Sequence, residues 1–442
     1  MLRRYDADFI LVPTGIQKGQ SLIVDETSGQ IVAIGASENL NVQYPNVPVV
    51  KWSDRILMPG TINVHAHAFQ HLARGRGVDQ PFLTWRQEAL YDLTAHLDPD
   101  ALYLGSQLAF LEMLQAGITT VAEFFYQHGH GMESDRAVIQ AARDVGIRLV
   151  LARTFYDWAG APPAYQETID QAMQRTRTLS DEVAQDPLVT IHVAPHSLHG
   201  ASDAMIQEAY GLARELAVPC HIHVAEESFE VDEVRARTGR TPVGHLAQLG
   251  VLGKDTIAVH LVCLTDEDID LVASTGTRWA YCPSSNLFLA DGIAPLPQLL
   301  AGGVVAGLGT DGGCSNNRAN LFEEMRMAAL LHKGAARDAT ILGHNRVLLM
   351  GTAGGAELLQ IPTGRLEPGL QADFIGIDLA HPSLIPWTEK TLAANVVYAM
   401  QPDAVSEVVV AGRPMVTKRA HRALDSTRLG RQVQDLVRSW EL

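Results

Sequence analysis

The chain of 442 residues is 47% hydrophobic and 19% charged, with a formal net charge of −16 at pH 7. That composition excludes disordered and fibrous proteins, and the acidic balance argues against nucleic-acid or anionic-membrane partners, which need clustered Lys and Arg. A chain this long exceeds one ordinary compact domain unless that domain is a (β/α) barrel.

The N-terminal stretch MLRRYDADFILVPTG has no apolar run long enough for a signal peptide. No segment approaches the roughly 20 apolar residues of a spanning helix, so a soluble cytoplasmic protein is expected. Four cysteines, Cys220, Cys263, Cys282 and Cys314, lack CxxC spacing and read as small buried hydrophobes.

The first 58 residues read as short strands and turns, in DFILVPTG, QSLIVDETSGQIVAIG and VPVVKW. After Pro59 the pattern changes. Apolar β-type runs such as ITTVAEFF, IRLVLARTFY, VTIHVAPHS, VPCHIHVAE, DTIAVHLV, RWAYCP and VVAGLGTDGG alternate with helical stretches such as SDRAVIQAARDVG and DAMIQEAYGLARELA. Strands this apolar need cover on both faces, and the units suffice to close a barrel. Helices continue to about residue 360, and strand grammar returns at GRLEPGLQADFIGIDL and SEVVVAGRPMV. The expected fold is α/β: a distorted (β/α)8 TIM-type barrel over 59–361. Residues 1–58 and 362–425 pair into a small β-sandwich domain, since neither segment alone has enough strands to bury a core.

Functional side chains of such a barrel sit where strands end and βα loops begin. Successive strand ends deliver His65 and His67, Glu123, His196, His221 and His223 with Glu226, His260, and Asp311. Side chains at i and i+2 of an extended segment point the same way, so His65 and His67 present both rings to one side. An isolated HxH is most simply a surface or core pair. Here it ends an apolar segment, and other strand ends offer compatible donors.

Nitrogen and carboxylate donors without thiolate suit one divalent ion, Zn²⁺ first, with Fe²⁺ or Mn²⁺ also compatible. His65, His67, His223 and Asp311 make a ligand set with room for a water, whose pKa the ion lowers toward about 7. Asp311 doubles as proton acceptor. His260, placed one strand before Asp311, reaches the activated water. Glu226 lies three residues past His223, where a partly desolvated carboxyl can shuttle protons to a substrate nitrogen. The plain alternative for Glu226 is a solvated charge in the acidic run AEESFEVDE, as expected for Glu227, Glu230, Asp232 and Glu233. For His221 a buried, hydrogen-bonded ring is expected.

LMPGTINVHAHAF, HIHVAEES, DTIAVH and GLGTDGGCSNNRANLFEEMR together resemble the amidohydrolase superfamily, in particular its deaminase branch, over nearly the full chain. The resemblance implies one divalent metal, hydrolysis at a carbon bearing an amino group, and the roles just given. CPSSNLFLADGIAPLPQLL is similar to the aromatic aminohydrolases, whose substrates include purines, pterins, adenosyl compounds and triazines. HAFQ, FLTWR, VAEFFY and APHSLHG are similar instead to formimidoylglutamate deiminase. That second likeness implies substrate contacts from Gln70, Arg86 and Tyr126. It places a second arginine where this chain has His199, so a dicarboxylate would lose a bidentate partner.

His196, counted to the fifth strand, faces substrate in either case. Arg86 is equally readable as a surface ion pair with Glu88 or Asp92. Phe82, Trp85 and Phe125 wall the pocket or simply pack, and Ser284, Ser285 and Asn286 touch substrate or form a turn. The expected reaction is hydrolytic deamination of an amidine-type C–N bond in a small N-heterocycle. A formimino-amino-acid deiminase is the alternative, and a non-catalytic binding protein on the same fold is the third class. The partner is a small-molecule substrate, and a homodimer is compatible with so large a barrel.

Overall fold

The computed structural model describes residues 1–12 and 15–440. Eight parallel strands form the barrel: β1 (Thr61–His67), β2 (Ile118–Phe125), β3 (Arg148–Phe155), β4 (Val189–Pro195), β5 (Cys220–Val224), β6 (Thr256–His260), β7 (Arg278–Tyr281) and β8, in two pieces, Ala306–Leu308 and Asp311–Gly312. Each pairs with its sequence neighbour, and the second piece of β8 returns to β1 and closes the ring. Every residue of β1, β2 and β3 is buried, as continuous apolar runs require.

The break in β8 has a steric cause. A Cβ on Gly309 would lie 2.9 Å from both Cys282 Sγ and the His65 backbone oxygen, so only glycine lets the strand pass there. Asn63 of β1 fastens the seam, donating to Thr310 Oγ1 at 2.7 Å and accepting from the Thr310 amide at 3.0 Å.

The chain ends zip into one nine-stranded sheet. Its centre is the strand Val49–Pro59, parallel to Leu2–Val12 and antiparallel to Phe374–Asp378. The two wings of the sheet meet. The Ala372 amide donates to Gly29 O at 2.7 Å, and a Cβ on Gly412 would lie 2.8 Å from Val24. One ribbon therefore folds into two layers around Tyr5, Trp52 and Phe374, whose ring centroids stand 4.9–5.6 Å apart.

The tail is not all β. Helix Leu392–Tyr398 packs on barrel helices Leu321–Ala336 and His344–Met350, and helix Ser426–Ser439 packs on Pro99–Gln115. A buried ion pair joins the sheet to the barrel: Arg148 at the start of β3 meets Asp373 through Nε at 2.8 Å. Among the described residues no helix is long and apolar enough to cross a membrane.

Two strand counts need correction. His196 follows β4 rather than a fifth strand, since only β1, β2 and β3 precede that strand in the barrel. His260 ends β6, so β7 separates it from Asp311 in β8, and the two are not on adjacent strands.

Candidate metal centre and active site

The pleat at the end of β1 does what i, i+2 spacing dictates: the His65 and His67 rings lie 4.7 Å apart, and each Nε2 stands 3.4 Å from Asp311 Oδ1. From β5, His223 Nε2 comes within 3.2 Å of His65 Nε2. Backbone carbonyls set two of the tautomers. His67 Nδ1 donates to Phe124 O at 2.7 Å and His223 Nδ1 to His196 O at 2.9 Å, which leaves both Nε2 lone pairs facing inward. Burial pushes His67 down to about 4 and His223 well below the usual histidine range, so these rings are neutral near pH 7.

Converging lone pairs beside a carboxylate repel one another unless a cation sits among them. A tetrahedral ion with bonds of about 2.0–2.1 Å spaces its donor atoms by about 3.3 Å, which the observed spacings match. The residues present fit a divalent ion.

A second cluster, Glu226, His260 and Asp311, adjoins the first; His260 and Asp311 are buried and the Glu226 side chain keeps 13% of its surface exposed. Burial, then the nearby Asp291 and Asp311 charges, raises Glu226 well above the ordinary carboxyl range. Glu226 Oε1 lies 3.3 Å from His260 Nε2. Burial works against an ionised Asp311, but the hydrogen bond with His65 and the flanking imidazoles outweigh it and hold the group below the usual range. Ser285 donates its hydroxyl to Asp311 Oδ2, which leaves Oδ1 for the imidazole cluster. Backbone strain concentrates here. Ala225, His260, Leu261 and Asp311 all have left-handed φ, between 50° and 74°.

The rim opens into a solvent-connected cavity. Its wall includes Gln70, Tyr126, His196, His199 and Arg86, so all five sequence-derived substrate candidates share one space with the two clusters. Gln70 Nε2 donates to Tyr126 Oη at 3.0 Å, and a Cβ on Gly312 would collide with the Gln70 amide at 1.6 Å, so that glycine makes room for it. Phe82 and Trp85 also line the cavity, while Phe125 is buried away from it. Arg86 does not ion-pair with Glu88 or Asp92. Its guanidinium lies over the Tyr91 ring at 5.2 Å and the Trp158 ring at 5.6 Å, with no carboxylate partner among the described residues.

Four further residues have other roles. Glu123 accepts the Ala68 amide on both oxygens at 2.8 Å and fixes the turn after β1. His221 is buried and paired with His192 at 2.9 Å, the expected fate. Ser285 and Asn286 touch Asp311 and His260 rather than forming only a turn. Sequence reasoning missed Asn63, the Tyr91–Tyr156–Tyr165 wall and Asp291. Only for Asn63 was there a signal, its place two residues before His65 on one strand face.

A closed βα barrel that gathers imidazoles and carboxylates at its C-terminal rim defines the class: a barrel enzyme with a metal-type donor set. The sequence pattern of the amidohydrolase family matches residues 56–415, and the chain belongs to that family. A relative from Syntrophobacter fumaroxidans, named 5-methylthioadenosine/S-adenosylhomocysteine deaminase, is 34% identical over 93% of this chain and 92% of its own. A relative of the same name from Nitratidesulfovibrio vulgaris is 33% identical over 97% and 94%. Among solved structures, an adenosine deaminase from Xanthomonas campestris with bound zinc superposes with a TM-score of 0.90 at 30% identity, covering 99% of this chain and 98% of its own. The fold is also that of an atrazine chlorohydrolase from Arthrobacter aurescens, at 24% identity and the same TM-score, covering 98% and 99%.

Proposed function

We propose that this protein is a metal-dependent aminohydrolase that releases ammonia from an amidine-type carbon of an N-heterocycle, with a purine or pterin as the expected ring. The carrying observation is the pair of abutting clusters: three converging imidazoles with an ionised aspartate, and beside them a carboxyl pushed well above the ordinary carboxyl range. Relatives named for deamination of adenine nucleosides support the purine reading.

His65, His67, His223 and Asp311 would hold the ion, with Zn²⁺ favoured by the donor set and Fe²⁺ or Mn²⁺ compatible. When bound, it would bring the pKa of water toward about 7 and supply a nucleophile at neutral pH. Glu226, protonated in its buried site, gives its proton to the ring nitrogen and makes the adjoining carbon electrophilic. Asp311 and Glu226 then take the proton of the attacking water and return it to the departing amine, which leaves as ammonia. His260 holds its Nε2 within reach of Glu226 Oε1. His196, kept neutral by burial, faces the substrate with Gln70 and Tyr126.

One observation favours a second reading, a formimino-amino-acid deiminase: Arg86 faces the cavity without a carboxylate of its own. Assaying ammonia release from a panel of adenine nucleosides, pterins and formimino acids separates the two. Arg86→Ala should change turnover of a neutral ring by less than about tenfold. It should cripple a carboxylate-bearing formimino substrate by roughly 30-fold or more, the loss of a bidentate charged pair. No ammonia from any heterocycle, with turnover of a formimino acid, would overturn the first reading.

A further inference from the structure

His260 differs from the other rim imidazoles in how its ring is held. Where His67 and His223 offer Nδ1–H to a backbone carbonyl, His260 Nδ1 meets the side-chain amide of Asn286, with Nδ2 at 3.0 Å. The same Nδ2 donates to Asp291 Oδ2, also at 3.0 Å. An amide nitrogen carries two hydrogens and no acceptor lone pair. With one hydrogen committed to Asp291, the other can only be given to His260, whose Nδ1 must accept it. The ring proton is then on Nε2, the atom 3.3 Å from Glu226 Oε1.

The reverse amide orientation would set Asn286 Oδ1 against the acceptor oxygen of Asp291. Burial, then a hydrogen bond with Glu227, pushes Asp291 up to about 9; with that acid proton held toward Glu227, Asp291 Oδ2 remains an acceptor and the amide orientation is kept. Local backbone holds the parts in place. The Asp291 amide donates to Asn286 O at 2.9 Å, Asn286 N donates to Cys282 O at 3.1 Å, and the Trp279 indole donates to His260 O at 2.9 Å.

We infer that Asn286 is a positioning residue that fixes His260 as the Nε2–H tautomer, with Asp291 fixing the orientation of the Asn286 amide. The rim thus uses its imidazoles in two ways. His67 and His223 turn lone pairs inward, as ligands must, while His260 turns a hydrogen inward and serves as a donor to carboxylate and attacking oxygen. The substitution Asn286→Asp is nearly isosteric but replaces the donor by an acceptor, so the ring must invert to Nδ1–H and present a lone pair to Glu226. The catalytic part of this inference rests on the proposed aminohydrolase function; the tautomer does not.

The test uses the full chain loaded with zinc and labelled with ¹⁵N-histidine, with the His260 signals assigned by their loss in His260→Gln. Long-range ¹H–¹⁵N correlation should give a protonated Nε2 and a bare Nδ1 in the wild type. Asn286→Asp should invert the pattern and lower kcat by about 100-fold, the scale of a wrong-tautomer penalty. KM and zinc per chain should stay within twofold. A wild-type ring protonated on Nδ1, or an unchanged tautomer in Asn286→Asp, overturns the positioning role. An inverted tautomer with kcat within threefold of wild type overturns its catalytic part. Should Asn286→Asp fail to fold, the wild-type spectrum alone decides the tautomer. A failure to find an ammonia-yielding substrate leaves that spectrum as the readout and counts only against the proposed function.

Discussion

Two buried clusters of charge lie on this barrel, and they are built on opposite terms. At the end of β3, Arg153 is fully buried, yet it grips Glu167 with two bonds of 2.8 Å and stands 3.3 Å from Asp135, while Arg175 reaches the same Glu167 at 2.6 Å. Every carboxylate there has a guanidinium supplied by the chain. At the mouth, Asp311 and Glu226 have imidazoles, a hydroxyl and further carboxyl groups near them, and among the described residues no Lys or Arg pairs with either. A buried carboxylate with its own arginine is architecture; buried carboxylates and lone pairs with no cation of their own call for one from outside. The contrast separates a framework cluster from a reactive one without reference to any relative.

That contrast can be broken most severely at the mouth. His67→Ala or His223→Ala should abolish ammonia release and drop bound metal well below one ion per chain by elemental analysis, whereas the same measurement on an Arg153 variant should find the metal retained. Glu226→Gln removes the shuttled proton but no ligand, so kcat should fall roughly 10²–10⁴-fold with metal content unchanged; near wild-type turnover would void the shuttle role. Arg153→Met strands Asp135 and leaves Glu167 with Arg175 alone, and denaturant unfolding should report a loss of about 3–5 kcal/mol.

The smallest effect is a pH dependence. Burial opposes an ionised Glu167, but His128 and Arg153 prevail and hold it down to about 2. A depressed carboxyl stabilises the fold fully above its unfolded value of about 4.3, and that stabilisation is lost as pH falls toward 2. The stability gap between wild type and Arg153→Met should therefore be flat from pH 7 to about 5 and shrink below that. A gap that widens on acidification would contradict the assignment.

The mouth cluster was readable in advance because its logic is local. Two histidines at i, i+2 must share a strand face, and the strand ends of a βα barrel share one rim, so periodicity and the barrel rule together brought His65, His67, His223 and Glu226 near one another. The alternation of apolar runs and helices gave the barrel for the same reason. The Arg153 cluster was not readable: Asp135, Arg153 and Glu167 come from a helix, a strand and a loop with no common spacing, and each alone looks like a surface charge. Asn286 stood in view but its role did not, since the tautomer it sets depends on a partner 26 positions away. His199 and Arg86 fall between these cases. Their place in the cavity followed from resemblance, but nothing in the spacing told that Arg86 would rest on Tyr91 and Trp158 instead of pairing with Glu88.

The seam between β1 and β8 has a consequence for how this protein matures. Its donors are split across the ring, with His65 and His67 on the first strand, His223 on the fifth and Asp311 on the last, which joins the first only when the circle is complete. A captured ion would act as a clasp over the closing joint, so loading reports that synthesis and folding have reached the final turn of the barrel. Fragments ending before residue 311 would carry three of the four donors and still fail to hold the ion tightly.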